Sequence, residues 1–498
     1  MSNGDGQTSG SVIFMDSTIS NTATGFLTAY QTNGTFTNGT LILDNVDMTN
    51  NVPVAVSNIR TNSTILVGNT NISSWVQGRI YPSANAGGDV QGTQSAVSRP
   101  TGLLDSTGRF AARSRPQYEN APVSSFLSTM AHGAKGDGVA DDTAAIQALF
   151  DSAGPNDIVY FDHGAYLITR TVKVPKNIKI TGEIWPLIMA GGNSSFQDQS
   201  NPQPVFQVGQ PGDTGSVEMS DLIFETMGPQ PGAILVEWNV AQAFQASSGM
   251  WDVHFRIGGT AGTKLQSNTC SKNPNTIAPA NPACEGAFML LHVTKQATIY
   301  MENVWAWVSD HELDLSDHSQ INIFNGRGIF IESAQGPVWM YGTSAEHSVL
   351  YNYQVANASN VYMALIQTET PYFQSNPNAI TPFTVNSAYA DPNFSSTCGS
   401  YNDSLCPKSW GLRIVGCTDV LVYGAGLYSF FDNYGQDCLA TESCQDNMVS
   451  LEGNKAVSLF GLNTKAATNM VTLDGTSAAV DKDNRNDFCA TIAKFSNA

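Results

Sequence analysis

Short apolar runs, separated by Gly, Asn, Ser, Thr and Pro, cover most of the chain and predict a protein made almost entirely of β-strands. One segment differs: in ADDTAAIQALFDSAG, residues 140–154, apolar residues recur at helical spacing behind two aspartates. Asp141 or Asp142 is expected to cap this helix at its start, and Gly154 to close it. The pattern therefore predicts one early helix near 141–153, followed by strands to the C-terminus.

Many short strands with one helix fit a sandwich, a propeller or a right-handed β-helix. Within residues 11–80, the runs SVIFMDSTISNT and TLILDNVDMTNN carry an Asp and a closing Asn in matching places, as in a degenerate coil repeat. Residues 81–124 show no periodicity and are rich in Ala, Gly, Ser, Pro and Arg, which predicts an interdomain linker. We therefore divide the chain into 1–80, 81–124 and 125–498.

The charge pattern restricts the partners of the protein. Only 13% of residues are charged, against about 25% in an average domain, and the net charge is −19. Binding a phosphate backbone needs clustered Lys and Arg, so nucleic acid is excluded, and a polyanionic substrate is disfavoured. No apolar run is long enough to span a membrane. A neutral sugar substrate remains compatible.

Two acidic segments invite a metal or phosphate interpretation. WVSDHELDLSDH, residues 307–318, lacks the HExxH and EF-hand spacings, so a polar turn or the rim of a sugar cleft is favoured over a metal site. Asp310 and Asp314 in it are candidate sugar contacts. GAKGDG lacks the GKS/T ending of a phosphate loop, and we predict neither a metal nor a cofactor.

Cysteines and sequons indicate secretion. The eight cysteines lack zinc spacing, and closeness in sequence suggests disulfides 270/284, 398/406 and 438/444, with 417/489 left over. Eight Asn-x-Ser/Thr sequons add modest weight; they lie at Asn33, Asn38, Asn62, Asn71, Asn193, Asn357, Asn393 and Asn402. The start, MSNGDGQTSG, has no apolar signal region, so we expect a removed signal or a fragment.

Glu346 and Glu369 lie in a charge-poor stretch, YGTSAEHSVLYNYQVANASNVYMALIQTETPYFQ, residues 341–374. A hairpin centred at 357–358 places them opposite each other, and a β-helix coil of roughly 20–25 residues stacks them on adjacent coils. Their Cβ atoms are then about 5 Å apart in either case. At that distance the two carboxyls repel each other, so one should hold its proton to a higher pH than the other. Glycoside hydrolysis needs this combination of a protonated acid and a charged carboxylate.

The neighbours of the pair suit a sugar site, with aromatic faces for pyranose rings and polar groups for hydroxyls. The candidate substrate contacts here are Tyr351, Tyr353, Gln354, Gln367, Tyr372 and His347. Spacing alone favours the ordinary interpretation, in which the glutamates face solvent and the aromatics pack.

The stretch MAHGAKGDGVADDTAAIQALFDSAGPNDIVYFDHGAYLITRTVKVPKNIKITGE, residues 130–183, resembles the opening of pectate-lyase-like β-helix proteins, where this motif forms the cap of the first coil. The segments WAWVSDHELD, YGTSAEHSVLYNYQ and QTETPYFQ resemble the C-terminal β-helix of fungal glycoside hydrolase family 55. The resemblance implies an all-β, right-handed parallel β-helix, with residues 1–80 as the last coils of a preceding tandem β-helix in an N-terminally truncated member.

The same resemblance implies a secreted β-1,3-glucanase that inverts the anomeric centre. Glu369 corresponds to the general acid and Glu346 to an assisting group. The attacking water is held in the family by a Ser and a Gln of the first β-helix, to which no position here corresponds. We expect a monomer acting on neutral polysaccharide. The alternatives are a catalytically impaired glucan-binding fragment, or a pectin-active enzyme, which the acidic charge and the missing polygalacturonase motifs disfavour.

Overall fold

The computed structural model describes residues 10–32, 39–275, 279–398, 404–486 and 488–497. The N-terminal part contains seven strands: β1 (Ser11–Thr18), β2 (Thr24–Thr28), β3 (Thr40–Asp47), β4 (Val54–Asn58), β5 (Ser63–Val67), β6 (Asn71–Tyr81) and β7 (Gly88–Thr93). The helices are α1 (Thr143–Ser152), α2 (Ser267–Cys270) and α3 (Phe394–Cys398). Short 3-10 turns lie at Thr101–Leu103, Val123–Ser125, Pro282–Cys284, Ser387–Tyr389, Asp437–Ala440 and Asp481–Asp483.

The remaining strands build the larger part of the molecule. In chain order they are β8 (Phe126–Ser128), β9 (Asp137–Asp141), β10 (Ile158–Phe161), β11 (Ala165–Ile168), β12 (Val172–Val174), β13 (Asn177–Gly182), β14 (Leu187–Ala190), β15 (Gln203–Val208), β16 (Thr214–Ser220), β17 (Ile223–Thr226), β18 (Gln230–Trp238), β19 (Ala241–Gln242), β20 (Gly249–Trp251), β21 (His254–Ile257), β22 (Glu285–Val293), β23 (Ile299–Glu302), β24 (Trp305–Val308), β25 (Phe324–Ile331), β26 (Val338–Glu346), β27 (Tyr351–Ala356), β28 (Ser359–Glu369), β29 (Trp410–Val415), β30 (Thr418–Tyr428), β31 (Gln445–Glu452), β32 (Lys455–Lys465), β33 (Ala467–Leu473), β34 (Thr476–Val480), β35 (Arg485–Asn486) and β36 (Cys489–Asn497).

These strands stack into a parallel β-helix, which confirms the predicted fold class. One face is the ladder β12, β15, β18, β22, β25, β27, β29, β31 and β33, parallel throughout and closed by antiparallel β34. Two further ladders, through β23 and through β24, merge in the long strand β26. From there β26, β28, β30 and β32 pair in parallel.

A left-handed residue bends each of these long strands from one face to the next. Gly342 (φ 59°), Leu365 (φ 57°), Gly424 (φ 80°) and Gly461 (φ 60°) occupy the same position in successive coils, as the pairs on either side of them show. Glycine adopts this backbone without penalty, whereas a residue with a Cβ does not. Leu365 is therefore the exception in this stack.

The early helix covers the first coil of the β-helix. Its buried residues Ile146, Leu149 and Phe150 join the large apolar cluster that fills the coils. Asp141 accepts the Thr143 N–H at 3.0 Å, while buried Asp142 accepts the N–H groups of residues 135 and 136 at 2.6 and 3.0 Å. The helix predicted near 141–153 thus runs Thr143–Ser152, with its aspartates used for backbone contacts.

The N-terminal strands continue the coil pattern for a short distance. β1 pairs in parallel with β3, and β2 with β4, with register partners 29 and 30 residues apart, before β6 and β7 return antiparallel. β6 also pairs with β36 at the far end of the β-helix. The assignment of residues 1–80 to the last coils of a first β-helix remains a proposal.

Residues 81–124 lie against the β-helix surface. Trp339 Nε1 donates to the Leu103 carbonyl at 3.0 Å, and the Tyr341 hydroxyl donates to the Ala111 carbonyl at 2.9 Å. The Phe110 ring stacks on Tyr362, with centroids 4.1 Å apart. The segment interpreted as a linker is thus held by ring stacking and backbone hydrogen bonds along one side of the coils.

Three predicted disulfides are confirmed: Cys270–Cys284, Cys398–Cys406 and Cys438–Cys444. The fourth pairing is wrong, because Cys417 is buried with its thiol against backbone carbonyls and both Cys417 and Cys489 are free. Among the sequons, those at Asn62, Asn71, Asn193, Asn357 and Asn393 are exposed; Asn33, Asn38 and Asn402 lie outside the described residues. None of the helices described has the length and apolarity to cross a membrane.

Candidate active site

Glu346 and Glu369 end two neighbouring parallel strands, β26 and β28. Ser344 and Gln367, two residues before each of them, are register partners, which corresponds to a coil of 23 residues. The hairpin alternative is wrong, because the strands run parallel. Trp307 pairs with Glu346 on one side and Tyr428 with Glu369 on the other, so one column of side chains crosses successive coils.

Glu346 is the more buried carboxyl, with 9% of the residue exposed. Its Oε2 accepts a hydrogen bond from Trp305 Nε1 at 3.2 Å, and its Oε1 accepts one from the Ser344 hydroxyl at 3.1 Å. Burial raises the pKa of Glu346 above its ordinary value, and the Glu369 carboxylate adds to the shift, while His347 opposes it. In the free site Glu346 is therefore the carboxyl that keeps its proton longer.

Glu369 is more accessible, with 23% of its side chain exposed. Its Oε2 accepts the Tyr372 hydroxyl at 2.6 Å and lies 3.6 Å from His347 Nε2. Burial alone would raise the pKa of Glu369, but His347 and Tyr372 outweigh it and hold this pKa below its ordinary value. The two carboxyls are thus driven in opposite directions.

His347 is the cation between them. Burial opposes the charged ring, yet the carboxylates of Glu369, Asp310 and Glu346 raise the pKa of His347 to about 9. Its Nδ1 donates to the Val308 carbonyl at 2.8 Å, which fixes the ring. Its own backbone is left-handed (φ 61°), and its N–H donates to the Glu369 carbonyl at 2.9 Å.

The other predicted contacts near the pair are polar groups at its edge. Gln367 Oε1 shares the single hydroxyl hydrogen of Ser344 with Glu346 Oε1 and so joins the network of Glu346. Asp310 lies 4.0 Å from His347 Nδ1 and 3.1 Å from His311 Nδ1. Asp314, with 38% of its side chain exposed, is farther out and accepts from Arg256 Nη2 at 3.3 Å.

Tyr351, Tyr353 and Gln354 are not brought to the carboxylates. All three are buried in β27, on the other ladder. The Tyr353 hydroxyl bonds to Thr343 Oγ1 at 3.1 Å, and Gln354 donates to the Tyr389 carbonyl at 2.7 Å. Side chains enclosed in this way do not face a polysaccharide, so we leave them out of the proposed substrate contacts.

An aromatic platform beside the pair was missed in the sequence. Trp305, 40% exposed, stacks on Trp307 with ring centroids 5.0 Å apart, and Phe431 packs on Tyr372 at 4.0 Å. The signal available was WAW itself, because residues i and i+2 of a strand share one face. The position of Phe431 carries no such signal.

The rest of the described structure offers neither a metal site nor a second catalytic carboxyl pair in its polar cleft. Within the described ranges, no group of three His, Cys, Asp or Glu side chains is placed to hold a metal ion. A polar cleft of about 570 Å³ lies elsewhere, lined in part by Glu452 and Asp474. Glu452 pairs with Arg413 at 2.8 Å and Asp474 accepts the Gly453 N–H at 2.7 Å, so these carboxylates serve structure.

Comparisons with known proteins agree with this fold. The family description "Rhamnogalacturonase A/epimerase, pectate lyase-like" matches residues 126–362. A probable glucan endo-1,3-beta-glucosidase of Arthroderma benhamiae is 48% identical, over 99% of this chain and 66% of that protein. A glucan 1,3-beta-glucosidase of Cochliobolus carbonum is 42% identical, over 98% of this chain and 61% of that protein. The chain thus spans somewhat under two thirds of the length of these relatives.

Among solved structures, sacteLam55A from Streptomyces sp. SirexAA-E aligns with 14% identity and a TM-score of 0.44, covering 92% of this chain and 68% of that one. The sequence matches define the chain as a pectate-lyase-like β-helix protein. Over almost its whole length the chain is similar to fungal glucan 1,3-beta-glucosidases, in agreement with the resemblance of the motifs around Glu346 and Glu369 to glycoside hydrolase family 55.

Proposed function

We propose that this chain hydrolyses β-1,3-glucan, with Glu369 and Glu346 as its catalytic carboxyls. The observation that carries the proposal is the pair itself: two carboxyls on adjacent coils, with pKa values displaced in opposite directions, beside an exposed tryptophan. The substrate follows from the names of the relatives. A chain with 13% charged residues and a net charge of −19 suits a neutral polysaccharide better than pectin.

Glu369 is proposed as the general acid because it is the more accessible of the two and holds the position that the family motif gives to the acid. In the free site it is ionised by His347. A bound glucan displaces water from this carboxylate, and burial is the effect that raises its pKa, so substrate itself favours protonation. Glu346, held by Trp305 and Ser344, is proposed to orient the reacting sugar.

Inversion of the anomeric centre is part of the proposal. Carboxyls on neighbouring strands, about 5 Å apart, have the spacing of retaining enzymes, so geometry alone does not decide the outcome. Proton NMR of the first sugar released does decide it. We expect the α-anomer, and a β-anomer would contradict inversion.

The test of the activity is glucose release from laminarin by the 498-residue chain and by Glu369→Gln. We expect the variant to be slower by about 10²- to 10⁴-fold, the contribution of a general acid. Glu332→Gln is the matched control, since Glu332 pairs with His292 at 3.0 Å away from the site. Equal rates for Glu369→Gln and the wild type would sink the assignment.

A second readout separates the acid from its partner. An aryl β-glucoside with a strongly activated leaving group needs no proton donor. Glu369→Gln should recover most of its rate on such a substrate, whereas Glu346→Gln should not. The reverse pattern would transfer the acid role to Glu346, whose raised pKa suits it.

Glucan binding without turnover is the second candidate, because the proposed acid Glu369 is held ionised by His347 in the free site. Retention on laminarin with no glucose release would establish it.

We also propose an extracellular monomer. Three disulfides and five exposed sequons among the described residues support secretion. Sedimentation velocity tests whether the protein is a monomer.

A further inference from the structure

A second exposed tryptophan lies on the side of the molecule that carries the carboxylates. Trp185, 43% exposed, and Ile184, 74% exposed, form the turn between β13 and β14. Both have left-handed backbone, with φ values of 67° and 45°. This conformation is an outlier for β-branched and bulky residues, and such outliers cluster at ligand sites. The turn therefore presents two apolar side chains at a conformational cost.

Trp185 is connected to the carboxylates by direct contacts. Its ring lies 5.4 Å from that of His254, edge to face, and His254 lies 6.5 Å from Trp305 in the same manner. Trp305 in turn donates to Glu346. Burial lowers the pKa of His254, with Asp252 opposing the shift, which disfavours a charged ring between the two tryptophans.

The contacts follow the stacking of the coils. β14, β17, β21, β24 and β26 are successive neighbours in one ladder. Four inter-strand steps of about 4.8 Å place the start of β14 roughly 19 Å from the carboxylate strands. A surface at that distance contacts sugar units other than the one that reacts.

Polar groups accompany the rings, as a sugar site requires. Arg256, two residues after His254 on β21, faces the same side and pairs with Asp314 at 3.3 Å. Asp314 is itself partly exposed. The exposed faces of the two tryptophans, with a guanidinium and a carboxylate nearby, fit pyranose rings and their hydroxyls.

We propose that Trp185, His254 and Trp305 form a distal platform for a β-1,3-glucan chain, and that this platform sets the preference for longer oligosaccharides. The inference rests on the proposed function for the identity of the sugar. It goes beyond that function because it assigns binding to Trp185 and His254, which lie away from the carboxylates, with Trp305 as the link to Glu346.

The test is a calorimetric titration of the 498-residue Glu369→Gln chain, which limits turnover, with laminaribiose and laminarihexaose. We expect the hexaose to bind more tightly than the biose. Trp185→Ala should weaken hexaose binding about tenfold and biose binding less than twofold. Trp185→Phe should recover most of the hexaose affinity, and Phe244→Ala, which removes another exposed aromatic ring, should change neither.

The outcomes separate this inference from the proposed function. Equal weakening for both sugars, or none for the hexaose, overturns the platform while leaving the carboxylate site intact. Length-dependent binding that needs Trp185, in a wild-type chain that releases no glucose, supports the platform and contradicts hydrolysis. If sedimentation shows a dimer that Trp185→Ala dissociates and the length preference persists, the surface is a protein contact and the proposal fails.

Discussion

Strands β27 and β28 are close along the chain and similar in composition, yet they face different surroundings. Every residue of Tyr351–Ala356 is buried, and Gln354 on its outer side is held by the Tyr389 carbonyl and by Arg413. β28 ends at a partly exposed Glu369 and is open along its outer side at Leu365. The segment that lies over a strand, rather than the residue types in it, decides which strand meets a substrate.

The cover over β27 provides the largest expected effect on stability. Arg327 on neighbouring β25 forms a fully buried double hydrogen bond with Asp391, which lies two residues after Tyr389 in the segment that covers β27. The Arg327 guanidinium also lies 3.9 Å from the Phe288 ring centroid. Arg327→Met leaves the Asp391 charge buried and unpaired, which should cost about 3–5 kcal/mol. Thermal unfolding followed by circular dichroism measures the loss.

The double variant Arg327→Met, Asp391→Leu is the control for that experiment, since removing both charges should restore most of the stability. Hydrolysis of laminarin below the transition should be unchanged in both variants. If activity falls in parallel with stability, the covered and open faces are coupled, and the contrast between β27 and β28 is wrong.

The open face should instead show a pH-dependent stability. In the folded protein the pKa of His347 is raised to about 9. Its contribution to the free energy of unfolding is therefore complete below about pH 6.5 and is lost as the pH rises through 9. Glu369 has a lowered pKa, so its contribution is present above about pH 4.3 and is lost as the pH falls through its folded pKa. The window of greatest stability therefore lies between them.

His347→Gln should remove the alkaline edge of this window and weaken the acid edge, where Tyr372 still lowers the pKa of Glu369. The melting temperature of the wild type is expected to fall between pH 6.5 and 9.5, and that of the variant to change much less. Gln354→Leu on the covered face should lower the melting temperature while preserving the wild-type pH dependence. A variant His347→Gln with an unaltered pH profile would contradict the ion pair.

The spacing of the two glutamates predicted that the carboxyls lie close together, whereas the β-helix was implied by the motif resemblance, because the strand pattern alone also fits a sandwich or a propeller. A 23-residue separation matches one coil, and the parallel register of Ser344 with Gln367 confirms it. Patterns did not predict which aromatics were covered, because Tyr389 and Asp391 approach β27 from a segment outside its own coil. The platform at Trp185 depends likewise on contacts between four coils, which no local spacing records.

Two tyrosine hydroxyls give a matched comparison of the faces. Tyr372→Phe removes the donor to Glu369 Oε2, which should raise the pKa of Glu369. The carboxyl is then held less firmly, which should lower the pH-independent kcat/KM about tenfold. Because the proposed acid must be protonated, the alkaline limb of the pH–rate profile should move to higher pH. Tyr353→Phe removes a buried hydrogen bond to Thr343 and should cost about 1 kcal/mol without moving that limb. A shift of the limb by Tyr353→Phe would contradict the separation of the faces.

The smallest expected effect tests the bend that gives β28 its open side. Leu365 has φ 57° and is 71% exposed, whereas Gly342 and Gly424 fill the same position in the adjacent coils. Leu365→Gly removes the penalty of a left-handed residue with a Cβ, about 1–2 kcal/mol. Glycine also raises the entropy of the unfolded chain, which offsets about 0.5–1 kcal/mol of this gain. A gain of a few tenths to about 1 kcal/mol should appear as a higher melting temperature. Leu365→Ala keeps the Cβ and should gain nothing, so equal stabilisation by both would attribute the effect to the removal of an exposed apolar side chain rather than to the bend.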